Sequence, residues 1–135
     1  MSPKSHVTTD LLKRVEEQEL TCKDFGFYWE TLDQLIDQIT SECKEIKEAF
    51  EKGDEVHLQE EVGDLLQAAI SLAVFCKLDP HQTLQNSIDK FQRRYEAVVA
   101  FAKQDGLSSL ANRDFATLMH YWNLAKKHGN TSPQS

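Results

Sequence analysis

No stretch of this 135-residue chain is long enough and apolar enough to cross a membrane as a helix. The longest candidate, Leu65 to Cys76, is interrupted by Gln67 and Ser71. The first residues lack the apolar core of a signal peptide. Cysteine is scarce. Cys22, Cys43 and Cys76 form neither a metal-binding spacing nor an even set, so they read as reduced thiols in a cytoplasmic protein. The phosphate-binding glycine loop and the dinucleotide fingerprint are missing, and so is the Gly-x-Ser-x-Gly turn of a serine hydrolase. No segment has a strand pattern, and nothing repeats beyond one pair of helices. Basic residues are the minority, 15 against 22 acids, and the net charge of −7 argues against a nucleic-acid partner. A small phosphorylated ligand stays open, because a bound cation can reverse the local field.

What is present is an ordinary soluble composition in one domain long enough to bury a core. The apolar period is helical throughout, so the expected fold is all-α. Residues 1–8 read as disordered, 9–128 as the domain and 129–135 as a flexible tail. Thr9 or Asp10 can cap a short helix that breaks over Thr21 to Phe27, with Gly26 as the turn. A long helix follows from about Tyr28 to Glu51, with Leu32, Leu35, Ile36, Ile39, Cys43, Ile46 and Phe50 at steps of three or four. Lys52-Gly53-Asp54 supplies a C-cap and the next N-cap. The second long helix, from about Glu55 to Lys77, is apolar nearly all round in its second half, which marks a buried central helix. Asp79 and Pro80 open a third, to Gln104, with Leu84, Ile88, Phe91, Tyr95, Val98 and Phe101 facing inward. After Gly106, Asn112 can cap a last helix to about His128, burying Phe115, Leu118, Met119, Trp122 and Ala125. The architecture expected is a bundle built on a long antiparallel hairpin. Because the Leu65–Cys76 segment needs neighbours on every side, a second copy is expected to complete it.

The chemistry gathers between Glu42 and Asp64. Glu42-x-x-Glu45 and Glu61-x-x-Asp64 flank Gly53: Glu45 and Glu61 lie eight residues from it, Glu42 and Asp64 eleven. In a hairpin the inner pair falls about 12 Å from the turn and the outer pair about 16 Å. Residues at i and i+3 share a face, so four carboxylates can meet in one patch. Four anions that close repel one another unless a cation sits among them, and hard divalent ions such as Mg²⁺ take oxygen ligands. A plain solvated acidic face is the commoner outcome of this spacing. Against it, Glu61-Val-Gly-Asp64 runs directly into the most apolar run of the chain, where unpaired carboxylates are costly. Gly63 within the helix suggests close approach of another backbone or a ligand. His57 is four residues before Glu61 and within reach of it, though a plain surface histidine is the commoner case. The third residue after each candidate glutamate is Glu or Asp rather than His, which disfavours di-iron chemistry and favours Mg²⁺ or Mn²⁺. Asn86, Lys90 and Arg93 follow at i, i+4 and i+7, with Arg94 beside them, either as a solubilising face or as phosphate donors.

Taken together, Ser41-Glu42-Cys43-Lys44-Glu45, Glu61-Val62-Gly63-Asp64-Leu65-Leu66 and Asp89-Lys90-Phe91-Gln92-Arg93-Arg94 resemble the MazG family of nucleoside triphosphate pyrophosphohydrolases. The resemblance covers about Trp29 to Arg94 and weakly the closing Tyr121 to Lys126. It implies Mg²⁺-dependent hydrolysis of a nucleoside triphosphate to monophosphate and pyrophosphate, an activity suited to clearing non-standard nucleotides. It assigns Glu42, Glu45, Glu61 and Asp64 as catalytic metal ligands and Lys90, Arg93 or Arg94 as phosphate contacts. It also implies a homodimer or homotetramer. Ser41 stands where many members carry a first glutamate. Phe25, Phe27, Tyr28 and Trp29 form either a base-stacking surface, with Trp29 as the substrate contact, or a hydrophobic lid on the bundle, which is the favoured reading. Alternative readings are a narrow dUTPase, a phosphoribosyl-ATP pyrophosphohydrolase, or a helical interaction module without activity.

Overall fold

The computed structural model describes residues 10–131, which form five helices and no strand. They are α1 (Leu11–Phe25), α2 (Leu32–Lys52), α3 (Glu55–Phe75), α4 (Pro80–Gln104) and α5 (Phe115–Thr131). The expected disordered start, 1–8, lies outside the described residues, as does most of the expected tail. None of the described helices is long and apolar enough to cross a membrane. The chain divides after Thr83 into two compact units.

Side-chain caps and left-handed glycines set the boundaries in the first unit. Asp10 accepts from the Lys13 N–H at 3.1 Å and starts α1. α1 runs through to Phe25, further than the expected break at Thr21, and ends where Gly26 turns left-handed at φ 97°. Tyr28 to Glu30 are not helical. α2 starts later than expected because Thr31 and Gln34 form a reciprocal capping box at 3.2 Å each way. Gly53, at φ 73°, closes α2, and Asp54 accepts from the His57 N–H at 3.1 Å to open α3. This two-residue connection folds α3 back along α2. The buried stripe of α2 is Leu35, Glu42 and Ala49, so a glutamate occupies a core position. Leu32, Ile36 and Phe50, expected inside, are exposed. On α3 only Glu61, Ser71 and Ala73 are buried, and Leu66 is 63% exposed. The second half of α3 is therefore not enclosed on all sides within one chain.

In the second unit, Ala102 of α4 and Tyr121 and Ala125 of α5 are buried. The Tyr121 hydroxyl donates to Asp105 Oδ2 at 2.6 Å, and Phe91 packs on Trp122 at 5.5 Å between ring centroids. Leu84, Ile88, Phe91, Tyr95 and Phe115, expected inside, stay about half exposed or more. Asn112 does not cap α5. It takes a left-handed turn position at φ 67°, and Asp114 caps instead, accepting from the Thr117 N–H at 2.9 Å. α5 continues three residues beyond the expected His128.

Gly53 and Gly63 predict opposite responses to alanine. Among the described residues a Cβ at Gly63 meets nothing within 4 Å, so none of their backbones makes the expected close approach. Gly63→Ala should stabilise by about 1 kcal/mol in urea denaturation through helix propensity. Gly53→Ala should destabilise by roughly 1–2 kcal/mol, because its backbone is left-handed.

Candidate functional site

The hairpin brings one carboxylate oxygen from each of Glu42, Glu45 and Glu61 within 4.8 Å of one another. Glu42 and Glu61 are 6% and 8% exposed. Each uses one oxygen in a hydrogen bond: Gln38 Nε2 donates to Glu42 Oε2 at 2.6 Å, and His57 Nε2 lies 2.8 Å from Glu61 Oε2. The other oxygens, Glu42 Oε1 and Glu61 Oε1, are buried and have no hydrogen-bond partner. Leaving such atoms unpaired is costly. The Glu61 carboxyl is pushed up to about 7. The largest cause is the facing Glu42 carboxylate, followed by burial and then by Glu45, while the His57 bond pulls the other way. Crowded acids of this kind hold a proton in place of the charge a cation would supply. Hard oxygen donors, two orphaned oxygens and a shared point within a few ångströms all fit a divalent ion.

Asp64 is exposed and stands apart from this triplet. It lines, with Glu42, an open cavity of about 310 Å³ whose walls also include Trp29, Leu35, Gln38, Gln67 and Ser71. The site residues are thus split between a three-glutamate knot, buried at Glu42 and Glu61, and a neighbouring cleft. Trp29 faces that cleft, whereas Phe25, Phe27 and Tyr28 are 89%, 76% and 55% exposed. The hydrophobic lid expected of this aromatic cluster is not formed over the first unit by those three. Asn86, Lys90 and Arg93 are exposed on α4 in the second unit. Arg94, also on α4, places its guanidinium 5.8 Å from the centroid of the Trp122 ring.

Two contacts change the reading of the sequence. His57 is not a plain surface histidine, because it bonds Glu61 and lies 4.0 Å from Asp54. Its i, i+4 spacing was the signal. Glu19 of α1 also reaches the cleft. Its partner Ser71 is 52 residues away, and no local pattern announces the pair.

The MazG nucleotide pyrophosphohydrolase domain family matches residues 30–99, which contain all four candidate carboxylates. The chain is 32% identical over 116 residues to the nucleoside triphosphate pyrophosphohydrolase/pyrophosphatase MazG of Thermotoga maritima, covering 86% of this chain and 43% of that protein. It is 30% identical over 118 residues to the nucleoside triphosphate pyrophosphohydrolase of Escherichia coli K12, covering 86% of this chain and 44% of the relative. The chain therefore spans less than half the length of these two relatives.

A pH dependence follows from the Glu61 shift. Its folded value of about 7 lies above the ordinary 4.5, so the folded state holds the proton more tightly than the unfolded one. The stabilisation is complete below about 4.5 and is lost as pH rises through about 7. In chelator, the melting temperature of wild type relative to Glu61→Gln should fall between pH 5 and 8. Adding a divalent cation at pH 8 should restore it. Parallel melting curves for the two proteins, with and without cation, would contradict this account of the knot.

Proposed function

We propose, from the premise that this chain belongs to the MazG nucleotide pyrophosphohydrolase domain family, that it hydrolyses nucleoside triphosphates to monophosphate and pyrophosphate at the α2–α3 carboxylates. The observation that carries this is the pair of orphaned oxygens on two buried glutamates, with a third glutamate alongside. A solvated acidic face or a plain interaction module gives no reason to bury them. Glu42, Glu45, Glu61 and Asp64 would hold Mg²⁺ or Mn²⁺. When bound, the ion supplies charge neutralisation along the phosphate oxygens.

The chain's own residues divide the remaining work. Gln38 and His57 hold the outer oxygens of Glu42 and Glu61, which fixes the direction of the inner ones. Glu45 is less buried than either and is the candidate to take a proton from the attacking water. That water oxygen bonds the α-phosphorus as the bond to the bridging α–β oxygen breaks, and pyrophosphate leaves. Lys90 and Arg93 are proposed phosphate donors on the family pattern alone. The exposed apolar side chains Leu32, Ile36, Val62 and Leu66 support assembly as a homodimer or homotetramer. Cys22, Cys43 and Cys76 are all free thiols, in keeping with a reducing compartment such as the cytoplasm.

Glu61→Gln and Asp64→Asn should each lose at least about 100-fold in pyrophosphate release at saturating Mg²⁺, with helical content unchanged. Full activity in either variant would remove this site. Light scattering after size exclusion should give at least twice the 15.5 kDa chain mass, and a clean monomer would contradict the assembly.

A further inference from the structure

α1 adds a carboxylate to the cleft that the metal reading leaves unused. The buried Ser71 hydroxyl donates to Glu19 Oε2 at 2.6 Å. One residue earlier, Gln18 Oε1 accepts from Gln67 Nε2 at 2.8 Å. These two bonds pin α1 to α3 and aim Glu19 at a cavity also lined by Trp29, Leu35, Gln38, Glu42, Asp64 and Gln67. Asp64 and Ser71 are seven residues apart on α3, so the two ends of that wall are separated by about 10 Å. The acidic end, at Glu42 and Asp64, belongs to the phosphates. The other end lies away from the Gly53 turn, on the side where Trp29 precedes α2. A carboxylate there would repel a polyphosphate, so it suits the nucleoside.

The hydrogen-bonding character of the cleft narrows the choice of base. Glu42 Oε2 can only accept, so Gln38 must present its NH₂ to it, which leaves the Gln38 carbonyl as an acceptor. The Ser71 hydroxyl proton is committed to Glu19. At the nucleoside end the lining offers the Glu19 carboxylate and the Gln38 carbonyl as acceptors, against the Trp29 indole N–H and the Gln67 amide, one of whose N–H groups is committed to Gln18. A charged acceptor at that end pairs with a donor edge. Adenine, cytosine and guanine carry an exocyclic amino group. At the position of the cytosine amino group, uracil and thymine instead present a carbonyl oxygen, which a carboxylate repels; their ring N3–H is the one donor left to them.

Resting on the pyrophosphohydrolase reading, we infer that Glu19 is a specificity-determining residue that accepts a hydrogen bond from the exocyclic amino group of the nucleobase. The substrates are therefore amino-bearing nucleotides in preference to uracil and thymine nucleotides. Glutamate acceptance from a cytosine amine is a pairing already known to discriminate bases. An amide at this position both donates and accepts, and so tolerates either edge.

The test compares kcat/KM for CTP and UTP in wild type, Glu19→Gln and Ser71→Ala, with melting temperature as the folding control. Wild type should favour CTP by at least about tenfold. Glu19→Gln should shrink that ratio at least fivefold, mainly by raising KM for CTP. Ser71→Ala, which keeps the carboxylate but frees it, should give an intermediate ratio. A wild type indifferent to the base, or a Glu19→Gln variant that loses CTP and UTP turnover equally, would overturn the inference while leaving the pyrophosphohydrolase reading intact. If wild type turns over none of ATP, GTP, CTP and UTP, that reading fails by itself. Calorimetric binding of CMP and UMP then decides the base preference: tighter CMP binding that Glu19→Gln abolishes upholds it, and equal affinities overturn it.

Discussion

The mutual repulsion of glutamates held together on a two-residue hairpin is the constraint on which the rest depends. Gly53 and Asp54 fix the register of α2 and α3, and that register sets Glu42 into the core stripe between Leu35 and Ala49. A glutamate in a core position of an otherwise ordinary amphipathic helix is a local conflict between fold and chemistry. Such conflicts concentrate at functional sites. Here the fold supplies only partial relief. Gln38 and His57 satisfy one oxygen each, Glu61 is driven toward its protonated form, and two oxygens remain unpaired. The remaining demand is for positive charge at one point.

A second demand comes from apolar surface. Leu66 on α3 and Leu32 and Ile36 on α2 remain exposed, while the same two helices bury Glu42 and Glu61. The hairpin thus turns its acids inward and leaves part of its apolar surface outside, the reverse of a self-sufficient bundle. Burial of roughly 25 cal/mol per Å² on association makes such a surface a driving force for assembly. Crowded carboxylates inward and apolar side chains outward are two consequences of one choice of helix face.

The boundaries that sequence made legible were those written in single residues with a conformational reason: Asp10, Gly26, Gly53, Asp54 and the Asp79-Pro80 pair. Asn112 misled because asparagine tolerates a left-handed turn as readily as it caps, and Asp114 two residues later took the cap. The gathering of Glu42, Glu45 and Glu61 was legible from their spacing about Gly53, but the counting symmetry was too simple. It paired Glu42 with Asp64, whereas Glu42 turns toward Glu61 and leaves Asp64 in the cleft. Glu19 was not legible at all, since its bond to Ser71 joins residues with no shared local pattern. The inward face of α3 was overestimated, because an all-apolar run says that neighbours are needed without saying that the same chain provides them.

The most direct test of the carboxylate knot is a Mn²⁺ titration followed by electron paramagnetic resonance, comparing wild type with Glu61→Gln. Wild type should bind Mn²⁺ saturably, in competition with Mg²⁺, and the variant should bind it at least about tenfold more weakly. Equal binding by the two proteins, or none to wild type, would mean that the glutamates gathered by the hairpin do not form a metal site.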